Sequence, residues 1–206
     1  MDRGYIYLNK KSFLHNLEVL KNLSRKELCL VVKANAYGHG LEWAVKNAKA
    51  SGIKWFAVAS VDEGMQVKKV YKESRVLLLA EPSKIQLENI KENDIDLTVY
   101  NESFIDTLIE SRDEYSVHLK IDTGMHRLGC PPEKFYNLYK KIVDSDLNLI
   151  GICTHFPMAD TDETETKKSI ELFEKTISDI DSTNMLLHVD NSASTLYKLD
   201  NSVNMA

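Results

Sequence analysis

The sequence is poor in the residues that interrupt regular structure, since its 206 residues include only four prolines and eight glycines. It has no low-complexity segment and no fixed-period repeat, which excludes a solenoid and a disordered chain. Apolar residues make up 43% of the chain, enough to build a buried core in one domain of ordinary size. We therefore expect a globular domain.

Long apolar runs are absent as well. The longest, residues 28–32 and 76–80, reach about a quarter of the length that a membrane-spanning helix needs. The first four residues lack the apolar core of a signal peptide. The 26 basic and 31 acidic residues give a net charge of −5 and are interspersed, so nothing favours nucleic acid or an anionic membrane as a partner. We expect a soluble, cytoplasmic protein.

Cysteine is scarce, and its spacing excludes the usual cysteine-based sites. Cys29, Cys130 and Cys153 have neither the paired spacing of a zinc site nor the density of a disulfide scaffold, so we predict reduced, structural thiols. Four histidines could suggest a metal site, but they fall in separate loops without an HExxH motif, and we expect no metal site. They are His39, His126, His155 and His188. The GxGxxG, P-loop and GxSxG motifs are also missing, which weakens the dinucleotide, nucleotide and serine-hydrolase interpretations.

Short β-rich runs alternate with stretches of helical apolar spacing, and this alternation predicts a parallel sheet. Several runs are apolar on both faces, as expected for strands that are covered on both sides. Either an open doubly wound sheet or an (α/β)8 TIM-type barrel fits this pattern. The seven predicted strands are residues 28–32, 55–59, 76–80, 95–100, 115–121, 149–154 and 186–189.

Seven strands are one short of a closed barrel. An eighth would have to begin within residues 202–206, where the sequence stops, so we expect a barrel truncated before its eighth strand, with two unpaired edges. Residues 5–8 alternate like an additional strand ahead of a helix at 12–23, without an obvious partner inside a barrel. They are expected to associate with a part of the protein beyond residue 206.

Chemistry in parallel α/β folds is placed at the carboxyl ends of the strands, and here those ends are rich in functional residue types. Taken alone, Lys33 is an ordinary lysine after a strand, but a partly desolvated, neutral lysine amine can condense with an aldehyde cofactor. Arg127 follows a turn that contains glycine and could hold a carboxylate with two hydrogen bonds, although a surface arginine fits equally well. Residues 191–194 open a helix, where a hydroxyl can serve as N-cap or bind phosphate.

Four segments together resemble the alanine racemase family. The sequence VVKANAYGHG at residues 31–40 is similar to the family's cofactor-lysine motif, and so long a match is highly specific. KIDTGMHRLG at 120–129, THF at 154–156 and NSA at 191–193 resemble later blocks of the family in the same order. The resemblance covers essentially the whole chain. It implies a barrel that binds pyridoxal 5′-phosphate (PLP), with residues 11–206 as an incomplete N-terminal barrel and residues 1–10 as a strand associated with a C-terminal β domain.

The resemblance implies a racemase that interconverts L- and D-alanine by two-base proton transfer at Cα, supplying D-alanine for bacterial cell wall. Lys33 would carry the cofactor and act as base on one face of the substrate. Arg127 would contact the cofactor's phenolic oxygen and the substrate carboxylate, oriented by Lys120, which the family often carries as a carbamate. The remaining cofactor contacts implied are Tyr37 and Ser192 at the phosphate, His155 near the ring and Asn191 on the same wall.

The sequence departs from the complete family pattern at its end. The second base, a tyrosine from the C-terminal β domain of the other subunit of a homodimer, is absent, as is an arginine expected just beyond residue 206. The resemblance therefore implies weak or no activity for this chain alone. A serine or broad-specificity racemase, a non-catalytic PLP-binding barrel and a decarboxylase of related barrel type remain as alternatives.

Overall fold

The structure, a computed structural model, describes residues 4–189, 191–197 and 203–206. Strands and helices alternate along the chain, as the sequence predicts. The strands are β1 (Cys29–Val31), β2 (Trp55–Val58), β3 (Arg75–Leu78), β4 (Ile95–Val99), β5 (Ser116–Lys120), β6 (Asn148–Cys153) and β7 (Leu186–His188). The helices are α1 (Lys10–Ser24), α2 (Lys33–Tyr37), α3 (Leu41–Ala50), α4 (Val61–Val70), α5 (Leu87–Glu92), α6 (Glu102–Ser111), α7 (Pro132–Val143), α8 (Glu163–Ile177) and α9 (Ser192–Tyr197), with a 3-10 turn at Lys84–Gln86.

All seven predicted strands are confirmed, and they form one parallel sheet in the order β1 to β7. Each strand pairs with the next along the chain, as in the wall of an (α/β)8 barrel rather than in a doubly wound sheet, whose order reverses. Most observed strands are slightly shorter than predicted. Their ends leave the sheet to enter the loops that carry the predicted site residues.

The end of the chain joins the first strand to the last. Met205 bridges Glu27 on one side and His188 on the other, both in parallel register. The Cys29 amide donates to the Ala206 carbonyl at 2.7 Å, and the Ala206 amide donates to the Glu27 carbonyl at 2.8 Å. The predicted position of the eighth strand is thereby confirmed for residues 203–206, while residue 202 lies outside the described residues. The expectation that β1 and β7 have unpaired edges is wrong, because the backbone of residues 204–206 forms hydrogen bonds to the segments of both strands.

The apolar residues form two separate cores. The larger lies between the strands and the surrounding helices and contains the biggest fully buried side chains, among them Phe56, Phe135 and Phe173. The smaller lies inside the barrel and is built only from strand residues and the chain end: Trp55, Ala57, Leu77 and Met205. Successive strand side chains alternate between these two cores, which explains why the strands are apolar on both faces.

Helix starts follow local capping chemistry. Asn9, Ser60 and Asp162 each accept a hydrogen bond from a backbone amide three residues later, which satisfies an amide that has no partner within the helix. No helix in the described part of the chain is long and apolar enough to cross a membrane.

The expected strand at residues 5–8 does not form within the described residues. Tyr5, Ile6 and Tyr7 are 91%, 80% and 89% exposed. Their association with a further domain stays a prediction.

Candidate functional site

A cavity of about 600 Å³ opens at the carboxyl ends of the strands and extends into the barrel interior. Its lining brings together residues that are far apart in sequence, because parallel strands deliver their carboxyl ends to one edge. All seven residues that the sequence assigned to the site line it: Lys33, Tyr37, Lys120, Arg127, His155, Asn191 and Ser192.

The segment that follows β1 has an unusual backbone. Four consecutive residues of α2, from Ala34 to Tyr37, have φ between 51° and 54°, and Gly38 follows with φ 87°. This segment is a turn of left-handed helix, and L-residues adopt that conformation at a cost of about 1–2 kcal/mol each. The left-handed conformation of this segment was not predicted from the sequence. Strain of this kind persists only where surrounding contacts hold it in place.

Two side chains hold the strained turn in place. The Asn35 carboxamide oxygen accepts a hydrogen bond from the Leu41 amide at 2.8 Å. The Glu63 carboxylate accepts from the Ala59 amide at 3.0 Å through one oxygen and from the Asn35 amide at 3.4 Å through the other. Glu63 therefore ties the end of β2 to the turn. Neither residue was assigned a role from the sequence.

Ala34→Gly is expected to stabilise the chain by about 0.5–1 kcal/mol, because glycine adopts the left-handed conformation without the Cβ penalty. Part of this gain is offset by the greater freedom of glycine in the unfolded state. Ala34→Val is the matched opposite, since a β-branched side chain worsens the strain. Urea unfolding of both variants measures the effect, and a lower midpoint for Ala34→Gly than for the unsubstituted chain would contradict it.

Three basic side chains, Lys33, Lys120 and Arg127, line the cavity together with His155. Lys120 is buried, and burial lowers the pKa of its amine, with a further lowering by the charges of Arg127 and Lys33. Burial also lowers the pKa of His155, to about 4, assisted by Lys120, Arg127 and Lys33. His155 is therefore neutral near pH 7. The four side chains lie close enough to influence one another, and together they favour an anionic ligand.

Arg127 is carried by a tight loop between β5 and α7. The Asp122 carboxylate accepts hydrogen bonds from the Gly124 and His126 amides, both at 3.0 Å. Burial raises the pKa of Asp122, but these hydrogen bonds outweigh it and lower the pKa overall. Gly129 closes the loop with φ 138°, and a Cβ there would lie 2.6 Å from the Asp122 backbone nitrogen. The loop therefore requires glycine at this position.

The segment after β7 places Asn191 and Ser192 at the start of α9. The Asn191 side-chain oxygen accepts from the Ala193 and Ser194 amides, both at 3.1 Å, and its nitrogen donates to the Phe156 carbonyl at 3.4 Å. The Asn191 side chain thus caps the helix and supports the wall of the cavity. Ser192 is exposed toward the opening.

A pair of histidines lies deeper, within the barrel. The His118 Nδ1 and His188 Nε2 atoms are 2.8 Å apart and share a hydrogen bond. His188 lines the cavity, whereas His118 is fully buried. His188 was noted in the sequence, but His118 was not. His118 lies on β5 between Val117 and Leu119, which pack in the outer core, so its side chain faces inward. Among the described residues, no group of three histidine, cysteine or acidic side chains is arranged to hold a metal ion.

Comparison with known proteins identifies relatives over nearly the whole chain. The family model for "Alanine racemase, N-terminal domain" matches residues 8–206. An alanine racemase from Treponema denticola is 35% identical over 192 residues, which cover 87% of this chain and 51% of that protein. The chain therefore spans about half the length of this relative.

Solved structures give the same result. The crystal structure of an alanine racemase from E. faecalis matches with a TM-score of 0.87 at 27% identity, covering 96% of this chain and 56% of that chain. A histidine racemase from Leuconostoc mesenteroides subsp. sake also reaches a TM-score of 0.87, at 23% identity, covering 95% of this chain and 55% of that chain, and shows the shared fold alone. With the matching family model and the cavity at the strand ends, the chain belongs to the alanine racemase family, whose N-terminal domain it matches.

Proposed function

We propose that the chain is the PLP-binding barrel of an amino-acid racemase, an isomerase that interconverts L- and D-alanine by two-base proton transfer at Cα. The observation that carries the proposal is the convergence of Lys33, Lys120, Arg127 and His155 on one cavity. Racemases among the relatives support the reaction class. The preference for alanine over serine or other amino acids belongs to the proposal.

The residues of the cavity fit PLP. Its volume of about 600 Å³ lies in the range of small-molecule sites. Burial lowers the pKa values of Lys120 and His155, and neighbouring positive charges lower them further; a phosphate and a phenolate would offset those charges. Lys33 is half-buried at the end of β1, where its amine can reach an aldehyde in the cavity. Tyr37 and Ser192 would hold the phosphate by their hydroxyl groups, with Asn191 supporting Ser192.

When bound, PLP supplies a conjugated ring that accepts the charge left on Cα after proton removal. The chain then has to place bases and hold the substrate. Lys33 would hold the cofactor and move a proton on one face of Cα. Arg127 would orient the substrate carboxylate by paired hydrogen bonds, with Lys120 positioning its guanidinium. Neutral His155 would pack beside the ring without adding charge.

A second base is required on the opposite face of Cα. We propose that it comes from a C-terminal β domain of a partner subunit in a homodimer, with residues 1–10 associated with that domain and residues 11–206 forming the barrel. The exposed Tyr5, Ile6 and Tyr7 support this division. On this proposal the chain alone has weak or no racemase activity, and a longer protein that includes the β domain is active.

Reductive labelling tests the cofactor site. After incubation with PLP and borohydride reduction, peptide mapping is expected to find the label on Lys33, and Lys33→Ala is expected to remove at least nine-tenths of it. Lys46→Ala is the matched control, because Lys46 is an exposed lysine on α3 that pairs with Glu42. Label spread over surface lysines and unchanged by Lys33→Ala would contradict the proposal.

A further inference from the structure

Three buried hydroxyl groups lie where the loop of residues 122–129 meets the end of β6 and α8. The Thr123 and Thr154 hydroxyl groups share a hydrogen bond, with their oxygen atoms 2.8 Å apart. The Ser169 hydroxyl, on α8, donates to the Thr123 carbonyl at 2.9 Å. All three side chains are buried. Because hydrogen bonds are directional, these contacts fix the positions of the loop, the strand end and the helix relative to one another.

Thr123 ties this loop to the rest of the barrel. The Asp122 carboxylate accepts hydrogen bonds from amides of the same loop, which shapes the loop without attaching it to another element. Among the described residues, the hydrogen bonds that run from residues 123–129 to other elements both involve Thr123. Arg127 lies four residues further along the same loop. Its position relative to the barrel therefore depends on the contacts of Thr123.

The other half of the hydroxyl pair lies next to a residue of the candidate site. Thr154 immediately precedes His155 in the chain. Arg127 and His155 both line the cavity, and the charge of Arg127 contributes to the low pKa of His155, so their side chains are close to each other. Thr123 and Ser169 lie outside the cavity lining. They can therefore affect a ligand in the cavity only through the residues that they hold.

We propose that Thr123 and Thr154 are positioning residues, which set Arg127 against His155 in the cavity through their shared hydrogen bond, with Ser169 holding Thr123 from α8. This inference rests on the proposed function, because it takes Arg127 and His155 as residues of one cofactor site. Without the bond between the two threonines, the loop would be free to move. Part of the binding free energy of PLP would then be spent on ordering it.

Cofactor binding by variants of Thr123 tests the positioning role. Thr123→Val keeps the shape of the side chain and removes its hydroxyl, so it is expected to raise the PLP concentration that half-saturates borohydride labelling of Lys33 by about threefold to tenfold. Thr123→Ser keeps the hydroxyl and is expected to stay within about twofold of the unsubstituted chain.

Thr166→Val is the matched control for this measurement. The buried Thr166 hydroxyl donates to the Asp162 carbonyl at 2.8 Å, and both residues lie outside the cavity lining. The control therefore loses a buried hydrogen bond of the same kind without disturbing the loop of Arg127, and its half-saturating PLP concentration is expected to stay unchanged. If Thr123→Val and Thr166→Val have equal effects, Thr123 has a structural role alone and the proposal is overturned.

A double substitution tests whether the two threonines act as a pair. Thr154→Val is expected to weaken PLP binding as Thr123→Val does. Because each substitution breaks the same hydrogen bond, the variant that carries both is expected to bind PLP within about twofold of the weaker single variant. Effects that multiply in the double variant would show that each threonine acts separately, and they would overturn the proposal.

Proteolysis without cofactor distinguishes a failure of this inference from a failure of the proposed function. Arg127 is exposed, and trypsin cleaves after arginine where the backbone opens locally. Thr123→Val is expected to speed cleavage between residues 127 and 128 by about tenfold, as followed by mass spectrometry, whereas Thr166→Val leaves the rate unchanged. An unchanged rate for Thr123→Val overturns the inference. If cleavage speeds up as expected but the unsubstituted chain does not label at Lys33, the proposed function fails and the role of Thr123 in holding the loop is supported.

Discussion

Gly151→Ala is expected to destabilise the chain by roughly 3–5 kcal/mol. A Cβ at position 151 would overlap the His118 imidazole and lie 2.8 Å from the Leu186 carbonyl oxygen. The ring cannot move away without breaking its hydrogen bond to His188. Overpacking costs about 1–3 kcal/mol, and unpairing buried polar groups adds about 1–3 kcal/mol. Urea unfolding measures the loss.

Two controls isolate this steric cause. Gly4→Ala is expected to be neutral within about 0.5 kcal/mol, because nothing lies within 4 Å of the position that its Cβ would occupy. Combining Gly151→Ala with His118→Ala removes the ring and should cost less than the sum of the two single substitutions. Additive costs would show that Gly151 and His118 do not compete for space.

Arg75→Met is expected to destabilise the chain by about 3–5 kcal/mol at pH 8, because it leaves a buried carboxylate without its partner. The Arg75 guanidinium donates to both oxygens of Asp96, at 2.8 and 2.9 Å, and lies over the Trp55 ring. Asp96 is fully buried, and burial raises its pKa to about 6 even though Arg75 lowers it. Without Arg75 the pKa of Asp96 rises further.

The sign of the pH dependence follows from that raised pKa. The folded chain binds the Asp96 proton more tightly than the unfolded chain, so the stabilisation is complete below pH 4 and is lost as the pH rises through 6. Its size is about 3 kcal/mol. The deficit of Arg75→Met should therefore shrink between pH 8 and pH 5, as the carboxyl becomes protonated. A double variant with Asp96→Asn should show no such dependence, and an equal deficit at both pH values for Arg75→Met would refute the explanation.

The strand order, and the meeting of the seven named residues at one cavity, were predictable because they rest on short-range patterns. Doubly apolar runs separated by helical spacing indicate parallel strands, and such strands bring Lys33, Lys120 and Ser192 to one end of the barrel. The individual site residues were named from the four segments that resemble the alanine racemase family. Their roles toward PLP remain predictions.

The backbone of α2 could not be predicted in the same way. Alanine at positions 34 and 36 favours a right-handed helix, and only Asn35 and the glycines that follow tolerate positive φ. The conformation is imposed by tertiary contacts, chiefly through Glu63, which is 28 residues away from Asn35. His118 was missed for a related reason. A polar residue that alternates with apolar residues along a strand is expected on the solvent-facing side, and only the closed barrel shows that this side is buried.

Residues 203–206 close the barrel between β7 and β1, and we call this junction the seam. Six pairs of neighbouring strands are joined directly, and those strands are three to six residues long. The remaining pair, β7 and β1, is joined only through the segment 203–206, in which Met205 forms a single-residue bridge on each side. Local opening of a fold begins where the fewest bonds must break, so the wall is most easily parted here. Lys33 follows the strand on one side of the seam, and Ser192 follows the strand on the other. A molecule bound by both residues would connect β1 and β7 across this junction. It would therefore stabilise the closed barrel, and part of its binding free energy would be spent on preventing the junction from opening.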